Sequence, residues 1–205
     1  MININRIKKI NSKQETILKR PTVKQIEQEI DRIETGREIR KSIAGTIKNF
    51  IFIAAVSIVL TNLLISVLMV NRSNMNPALE DNDVVIAIRW VPLNPGDIAA
   101  FYYNNKIMLK RVIAKAGDWV DIDAYGTVYV NNAVLDEPYV TEKSLGECDI
   151  ELPYQVPDGS VFVMGDHRVI STDSRLREIG AVSADKLVGR VALRIWPLSK
   201  MGFIG

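Results

Sequence analysis

The sequence predicts a mainly β domain that follows a single transmembrane helix. One long apolar run lies in the N-terminal third of the chain, and short segments rich in β-branched and aromatic residues follow it. Turn-forming residues separate these segments. Helical patterns do not alternate with them at the spacing of βαβ units, which argues against a parallel α/β fold. With 205 residues, the chain has room for about one domain with appendages.

The first region, residues 1–49, is highly charged and of mixed sign. Pro21 is predicted to begin a short helix that Gly36 interrupts. Apolar residues recur at helical spacing between them, namely Val23, Ile26, Ile30 and Ile33. The pattern favours a short amphipathic helix, near the membrane or largely solvated, over a stripe that docks a partner helix.

Residues 50–70 are predicted to cross a membrane. The run contains no charged residue, and its length matches the roughly 20 residues that a helix needs to span the hydrocarbon core. A cleaved secretory signal would have a shorter apolar stretch closer to the N-terminus. We therefore interpret this segment as an anchor that binds membrane lipid.

The charges around the anchor predict its orientation. Four cations precede it, Arg37, Arg40, Lys41 and Lys48, whereas the acids Glu80, Asp81 and Asp83 outnumber Arg72 after it. The positive-inside rule places residues 1–49 in the cytoplasm and residues 71–205 outside a plasma membrane. The single cysteine, Cys148, offers no disulfide framework.

The outer region, residues 71–205, is predicted to form antiparallel strands. Six segments have strand composition: 83–89, 97–103, 106–114, 127–130, 160–164 and 186–196. Turn formers lie between them, at 94–96, 104–105, 117–118, 131–132 and 157–159. Together they predict one β domain on the outer membrane face.

Composition argues against several kinds of site. His167 is the only histidine and Cys148 the only cysteine, so neither a multi-histidine nor a four-cysteine zinc site can be assembled. His167 lies in a Gly-Asp-His-Arg stretch, which favours a turn or surface role. A net charge of +2 is too small to suggest a nucleic acid partner, and no glycine-rich phosphate loop follows a strand. We expect no metal and no cofactor.

Lys110 is the strongest candidate for a catalytic residue. It lies in an apolar predicted strand beside Arg111, and strand alternation turns one of the two inward. A desolvated lysine loses proton affinity and can act as general base for a serine hydroxyl. The pattern alone is also typical of a surface lysine whose stem lies along apolar neighbours.

Four ordered stretches give the chain a resemblance to a known family. They are residues 74–79 (NMNPAL), 96–101 (GDIAAF), 110–118 (KRVIAKAGD) and 165–175 (GDHRVISTDSR). Weaker counterparts are residues 129–132 and 137–139. From the anchor to the C-terminus, the sequence resembles bacterial type I signal peptidases of the single-anchor, Gram-positive-like form.

The resemblance implies a coiled antiparallel β-ribbon fold and a Ser-Lys peptidase that removes signal peptides from exported preproteins after small residues. Lys110 would be the general base, and Ser171 would orient it. Met75 and Pro77 would contact the substrate, which would lie extended along a strand edge. Four residues would support the site structurally: Asp166, Arg168, Asp173 and Arg175.

The resemblance fails at the nucleophile, because Asn74 stands where the family carries serine. Arg72 also replaces a small residue beside the expected oxyanion hole. A carboxamide cannot supply an alkoxide, so whether the chain is an active enzyme stays open. It is a pseudoenzyme candidate.

Three explanations for Asn74 compete. The chain is an inactive relative that binds secreted or pilus-type proteins as a chaperone or assembly factor, or it is an altered form of an active enzyme. The intact Lys110 and last stretch favour the altered enzyme. In the third explanation Ser73 acts instead, although a shift of one residue turns a side chain to the other face. A soluble self-cleaving regulator of related fold does not agree with the membrane anchor.

Overall fold

The computed structural model describes residues 22–71 and 74–204. Contacts divide the chain after Ile58 into two compact units, an N-terminal helical unit and a β unit that begins at Val59. Residues 1–21 of the first predicted region, with Pro21 at their end, lie outside the described residues.

The N-terminal element is one continuous helix, α1 (Val23–Leu64), with no buried residue along its length. The prediction that Gly36 interrupts this segment is wrong. One glycine costs a helix only about 1 kcal/mol, and good helix formers such as Glu34 and Arg37 lie beside it. Among the described residues, α1 is the single helix long and apolar enough to cross a membrane.

The last part of the predicted transmembrane segment is a strand. The helix ends at Leu64, and β1 (Ile65–Met69) pairs antiparallel with β2 (Val84–Ile88). The predicted helix over 50–70 is therefore too long by six residues. An apolar run has no polar face to distinguish a buried helix from a strand, and the pairing of Val67 with Ile86 decides it here.

Ten further strands complete the β unit: β3 (Ile98–Tyr103), β4 (Lys106–Lys115), β5 (Trp119–Ile122), β6 (Val128–Val130), β7 (Ala133–Val134), β8 (Tyr154–Gln155), β9 (Ser160–Met164), β10 (Val182–Ser183), β11 (Leu187–Trp196) and β12 (Gly202–Phe203). The larger sheet has the order β1-β2-β11-β3-β4-β9-β10, with β12 beside β11. The smaller sheet has the order β7-β6-β5-β8. All pairings are antiparallel, as predicted.

The six predicted strands are all present, with bounds within one or two residues. The strands that the sequence did not predict are short, except for β1 and β5. Two-residue strands such as β7 and β10 have too few residues to show an alternating pattern. Their hydrogen bonds come from neighbours that the local sequence does not reveal.

Three clusters of buried side chains form the core of the β unit. The first includes Met75 and Leu79, which fix residues 74–79 against β1, β2, β3 and β11. The second packs around Phe101 and Val163. The third joins the two sheets around Phe162. Strand β4 contributes residues to the second and third clusters and lies between β3 and β9, so its middle is covered on both faces.

Candidate active site

Lys110 is buried in the middle of β4, with 1% of its surface exposed. Its Nζ donates a hydrogen bond to Ser171 Oγ at 2.6 Å. Burial lowers the pKa of this amine from 10.5 to about 8, because the charged form loses its hydration. The nearby carboxylates of Asp173 and Asp166 oppose this effect only in part. The arrangement produces a lysine that loses its proton near pH 8 instead of 10.5.

Arg111 is also buried, so both of the neighbouring cations point inward, although alternation required this of only one. Its guanidinium binds both carboxylate oxygens of Asp166, at 2.8 and 2.7 Å. It also donates to the Gly96 carbonyl at 2.7 Å, and the ring of Tyr139 covers it at 4.0 Å. Both cations are buried because β4 is an interior strand with side chains packed on each face.

Gly165 allows the serine to reach the lysine. Continuing the pairing of Arg111 with Met164 places Gly165 opposite Lys110. A Cβ at this position would lie 2.1 Å from Ser171 Oγ and 2.6 Å from the main-chain oxygen of Asn74. Any side chain at Gly165 would therefore displace the hydroxyl from Nζ. This steric requirement also shows that the Asn74 backbone lies beside Ser171.

Asn74 is partly exposed and begins the turn that ends with Leu79. Its carbonyl oxygen accepts a hydrogen bond from the His167 backbone N–H at 3.1 Å. The contact joins the stretch 74–79 to the stretch 165–175, which places Asn74 next to the Lys110–Ser171 pair. His167 serves the site through its main chain. Arg72 and Ser73 lie outside the described residues.

Three buried arginine–carboxylate pairs surround the lysine and serine: Arg111–Asp166, Arg168–Glu137 and Arg175–Asp173. Burial raises the pKa of Asp166, although the Arg111 guanidinium acts in the opposite direction. Burial acts the same way on Asp173, but its bonds to the Arg175 guanidinium outweigh that effect and hold the pKa of the carboxyl below its usual range. Each acid near the lysine is thus held in place by an arginine.

Arg175 connects the segment that carries Ser171 to the rest of the unit. Its guanidinium bonds both oxygens of Asp173, at 2.8 and 2.9 Å, and donates to the carbonyls of Leu145, Arg168 and Ser171. Asp173 in turn accepts from the Gly165 N–H at 2.9 Å. These bonds fix the backbone on both sides of the serine, so Ser171 is preorganised to receive the lysine amine.

The two predicted substrate contacts lie in different environments. Met75 is 2% exposed and packs in the first core cluster, so it holds the turn in place and presents little surface to a ligand. Pro77 is exposed. Contact of either residue with a substrate stays a prediction.

One edge of β4 has no partner strand near the lysine. Strand β3 pairs with residues 106–111 on one side, whereas β9 on the other side pairs only with residues 111–115. In the part of the chain that the structure describes, residues 106–109 therefore have a free edge that ends at Lys110. An extended peptide can pair with such an edge through main-chain hydrogen bonds.

Sequence reasoning missed Arg111, Glu137 and Gly165 as members of the site. Glu137 and its partner Arg168 are 31 residues apart, and both side chains are fully buried. A long-range pair of this kind leaves no local periodicity. The charged residues in otherwise apolar surroundings were the available signal. Within the described residues, no group of three or more His, Cys, Asp or Glu side chains is arranged to hold a metal ion.

Comparison with known proteins identifies a family and several relatives. The family described as "Signal peptidase, peptidase S26" matches residues 43–196. Thylakoidal processing peptidase 1 of Arabidopsis thaliana is 39% identical over 100 residues, which cover 49% of this chain and 28% of that protein. A probable signal peptidase I-2 of Synechocystis is 33% identical over 144 residues, or 64% of this chain and 63% of the relative.

Signal peptidase IB of Staphylococcus aureus is 31% identical over 154 residues, which cover 65% of this chain and 79% of the relative. A crystal structure of a signal peptidase I from Enterococcus faecalis superposes with a TM-score of 0.42 at 27% identity, covering 49% of this chain and 97% of that one. The chain thus spans less than two thirds of the first two relatives and more of the third. It belongs to the signal peptidase family, peptidase S26.

Proposed function

We propose that this chain recognises the cleavage region of signal peptides on exported preproteins, with Lys110 as general base, and that Asn74 withholds hydrolysis. The observation that carries the proposal is the buried Lys110 amine, bonded to Ser171 at 2.6 Å and with its pKa lowered to about 8. Membership of the signal peptidase family supports signal peptides as ligands. The apolar helix α1 supports a membrane anchor.

The lysine has the protonation behaviour that a base needs. With a pKa of about 8, roughly a tenth of Lys110 is neutral at pH 7 and about half at pH 8. Ser171 accepts a hydrogen bond from the amine and thereby fixes its orientation. In the neutral amine this also fixes the direction of the lone pair. Asn74 offers a carboxamide, which is too weak a nucleophile to use such a base. Loss of the nucleophile from a catalytic serine site typically costs about 10⁶-fold in rate.

With serine at position 74, the proposed steps are those of a Ser-Lys peptidase. Neutral Lys110 removes the hydroxyl proton as the oxygen attacks the peptide carbonyl, and the resulting ammonium then donates a proton to the leaving amine. Water hydrolyses the acyl-enzyme with the same lysine as base. The three buried ion pairs hold the side chains of Lys110 and Ser171 in position through these steps.

The free edge of β4 supports extended binding of the peptide. A chain that pairs with residues 106–109 would bring its next peptide bond towards Lys110. Met108 and Leu109 are half-buried there and offer apolar contacts to small side chains. We infer that an Ala-x-Ala sequence suits this edge, in line with the family resemblance.

We further propose that the β unit lies outside a plasma membrane and residues 1–49 lie in the cytoplasm, because Arg37, Arg40, Lys41 and Lys48 precede the apolar part of α1. Protease added to intact spheroplasts would then remove the β unit and spare an N-terminal tag. Protection of the β unit would contradict this orientation.

The experiment that tests the function is cleavage of a preprotein with an Ala-x-Ala site by the full chain in detergent at pH 8. We expect no cleavage by the unaltered chain or by its Asn74→Ala control, and cleavage by Asn74→Ser. Adding Lys110→Ala to Asn74→Ser should abolish cleavage again. If the unaltered chain cuts, the role assigned to Asn74 is wrong, and Ser73→Ala becomes the next variant to assay.

The second candidate function is a non-hydrolytic chaperone or assembly factor for secreted or pilus proteins that uses the same cleft. Asn74 is the observation that favours it. The two functions differ in what they require of Lys110. A binding site alone does not need a buried base. In a chaperone, Lys110→Met would therefore leave preprotein binding unchanged. The same change would abolish cleavage only in the Asn74→Ser enzyme.

A further inference from the structure

A cavity lies in the β unit, and none of its lining residues belongs to the Lys110 site. Its volume is about 300 Å³, and it is bounded by the end of β2, by β3 and by β11. Its walls include Arg89, Trp90, Leu93, Tyr102, Leu187 and Val188. The lining combines one cation, two aromatic rings and an apolar floor.

Arg89 is fixed at this cavity through two hydrogen bonds. Its Nε donates to Ser66 Oγ at 2.9 Å, and its backbone N–H donates to the carbonyl of Leu64 at 2.9 Å. Within the described part of the chain, no carboxylate lies at ion-pair distance from its guanidinium. A guanidinium has five N–H donors in a planar fork that suits two oxygens of a phosphate. The bond to Ser66 uses one of them.

Trp90 and Tyr102 stand exposed at the cavity. Trp90 is 88% exposed and has a φ of +63°, and Tyr102 is 52% exposed. A positive φ is costly for a bulky residue and is found where the surroundings hold it for a reason, often at a binding site. Exposed tryptophan and tyrosine are typical of the interface between water and lipid headgroups.

Arg89 links the cavity to Leu64, the last residue of the apolar helix. Between Lys48 and the end of α1 lie about 16 uncharged residues, which span about 24 Å as a helix. The hydrocarbon core of a bilayer is about 30 Å thick. A helix of this length is about 6 Å shorter than the core, so it reaches from one boundary nearly to the other. Arg89 is bonded directly to its last residue.

We propose that this cavity binds the phosphate of an anionic phospholipid headgroup. The terminal nitrogens of Arg89 contact two phosphate oxygens, Trp90 and Tyr102 flank the glycerol region, and Leu93 and Leu187 meet the start of an acyl chain. The site would be a second attachment of the β unit to the membrane surface, in addition to the anchor. It depends on the anchor and not on the proposed peptidase function.

The test uses the full chain in a neutral detergent and counts retained lipid by native mass spectrometry. Phosphatidylglycerol is compared with phosphatidylcholine, and inorganic phosphate is added as competitor. We expect phosphatidylglycerol to be retained and phosphatidylcholine to bind at least about tenfold more weakly, because the choline cation offsets the attraction of the phosphate to Arg89. Arg89→Gln should weaken phosphatidylglycerol binding by about tenfold or more. Lys143→Gln, which removes an exposed cation far along the chain from the lining, should leave binding unchanged.

Trp90→Gly is the variant that separates binding from folding. Glycine accepts the positive φ without strain, so we expect the melting temperature to stay level or rise while phosphatidylglycerol binding falls several-fold. Equal binding by Arg89→Gln and the unaltered chain would overturn the proposal. Displacement of the lipid by inorganic phosphate would overturn the lipid as the source of the phosphate, and displacement by a signal peptide would assign the cavity to peptide instead.

Discussion

Replacing the Lys110–Ser171 pair by apolar residues should stabilise the β unit at neutral pH. The pKa of Lys110 is about 8 in the folded chain, against 10.5 for an ordinary lysine. Each pKa unit corresponds to about 1.4 kcal/mol. Below pH 8 the buried lysine therefore reduces the free energy of unfolding by roughly 3 kcal/mol. The unfolded chain binds the extra proton between pH 8 and 10.5, so this cost disappears as the pH rises through that window.

The double variant Lys110→Met with Ser171→Ala removes the titrating group without leaving a buried partner unsatisfied. We expect its free energy of unfolding to exceed that of the unaltered chain at pH 7. The difference between the two should shrink by roughly 2 to 3 kcal/mol by pH 10.5, because only Lys110 distinguishes their titrations. Burial of Lys110 therefore lowers its pKa and the stability of the β unit together.

Urea unfolding of the full chain in detergent, followed by tryptophan fluorescence, measures this difference. All three tryptophans lie between residues 90 and 196, so the signal reports the β unit. Ser171→Ala alone retains the lysine and should keep the pH dependence of the unaltered chain. A stability difference that stays constant from pH 7 to 10.5 in the double variant would refute the lowered pKa of Lys110.

Three further predictions follow from the same geometry. Asn74→Ser should cleave an Ala-x-Ala preprotein with a rate that rises about tenfold from pH 7 to a plateau above pH 9, with a midpoint near 8; a pH-independent rate would rule out the lysine as base. Asp173→Asn should destabilise the unit by about 3 to 5 kcal/mol in urea unfolding, because it leaves a buried arginine unpaired. Glu151→Gln, at an exposed ion pair, should leave the free energy of unfolding unchanged. Equal destabilisation by Asp173→Asn and Glu151→Gln would contradict this reasoning. Gly165→Ala should destabilise the unit and abolish the cleavage gained by serine at position 74, since its Cβ would meet the Ser171 hydroxyl at 2.1 Å; Gly202→Ala, with open space around it, is the control that should behave as the parent.

The fold was predictable where one strand carries its own signal. Residues 106–114 contain enough β-branched and apolar residues to identify β4, and the observed strand differs by one residue. The residues of β1 could not be identified as a strand, because an apolar run continues from α1 into residues 65–69 without a change in composition. Pairing with β2 ends the helix, and β2 lies about 20 residues further along the chain. Gly36 shows the reverse error, since one residue that disfavours a helix locally did not end a long one.

The sequence by itself determined the family resemblance, the apolar anchor and the identity of the residue at the nucleophile position, since each depends only on residue types in order. Tertiary structure decided the chemistry of Lys110. Its pKa depends on burial and on nearby charged groups such as Asp173. The hydroxyl that accepts its hydrogen bond belongs to Ser171, which is 61 residues away. The pairing of Arg168 with Glu137 and the need for Gly165 likewise come from contacts between distant segments. Burial and electrostatic interactions act through space, so the order of residues names the groups but does not reveal the environment that sets their reactivity.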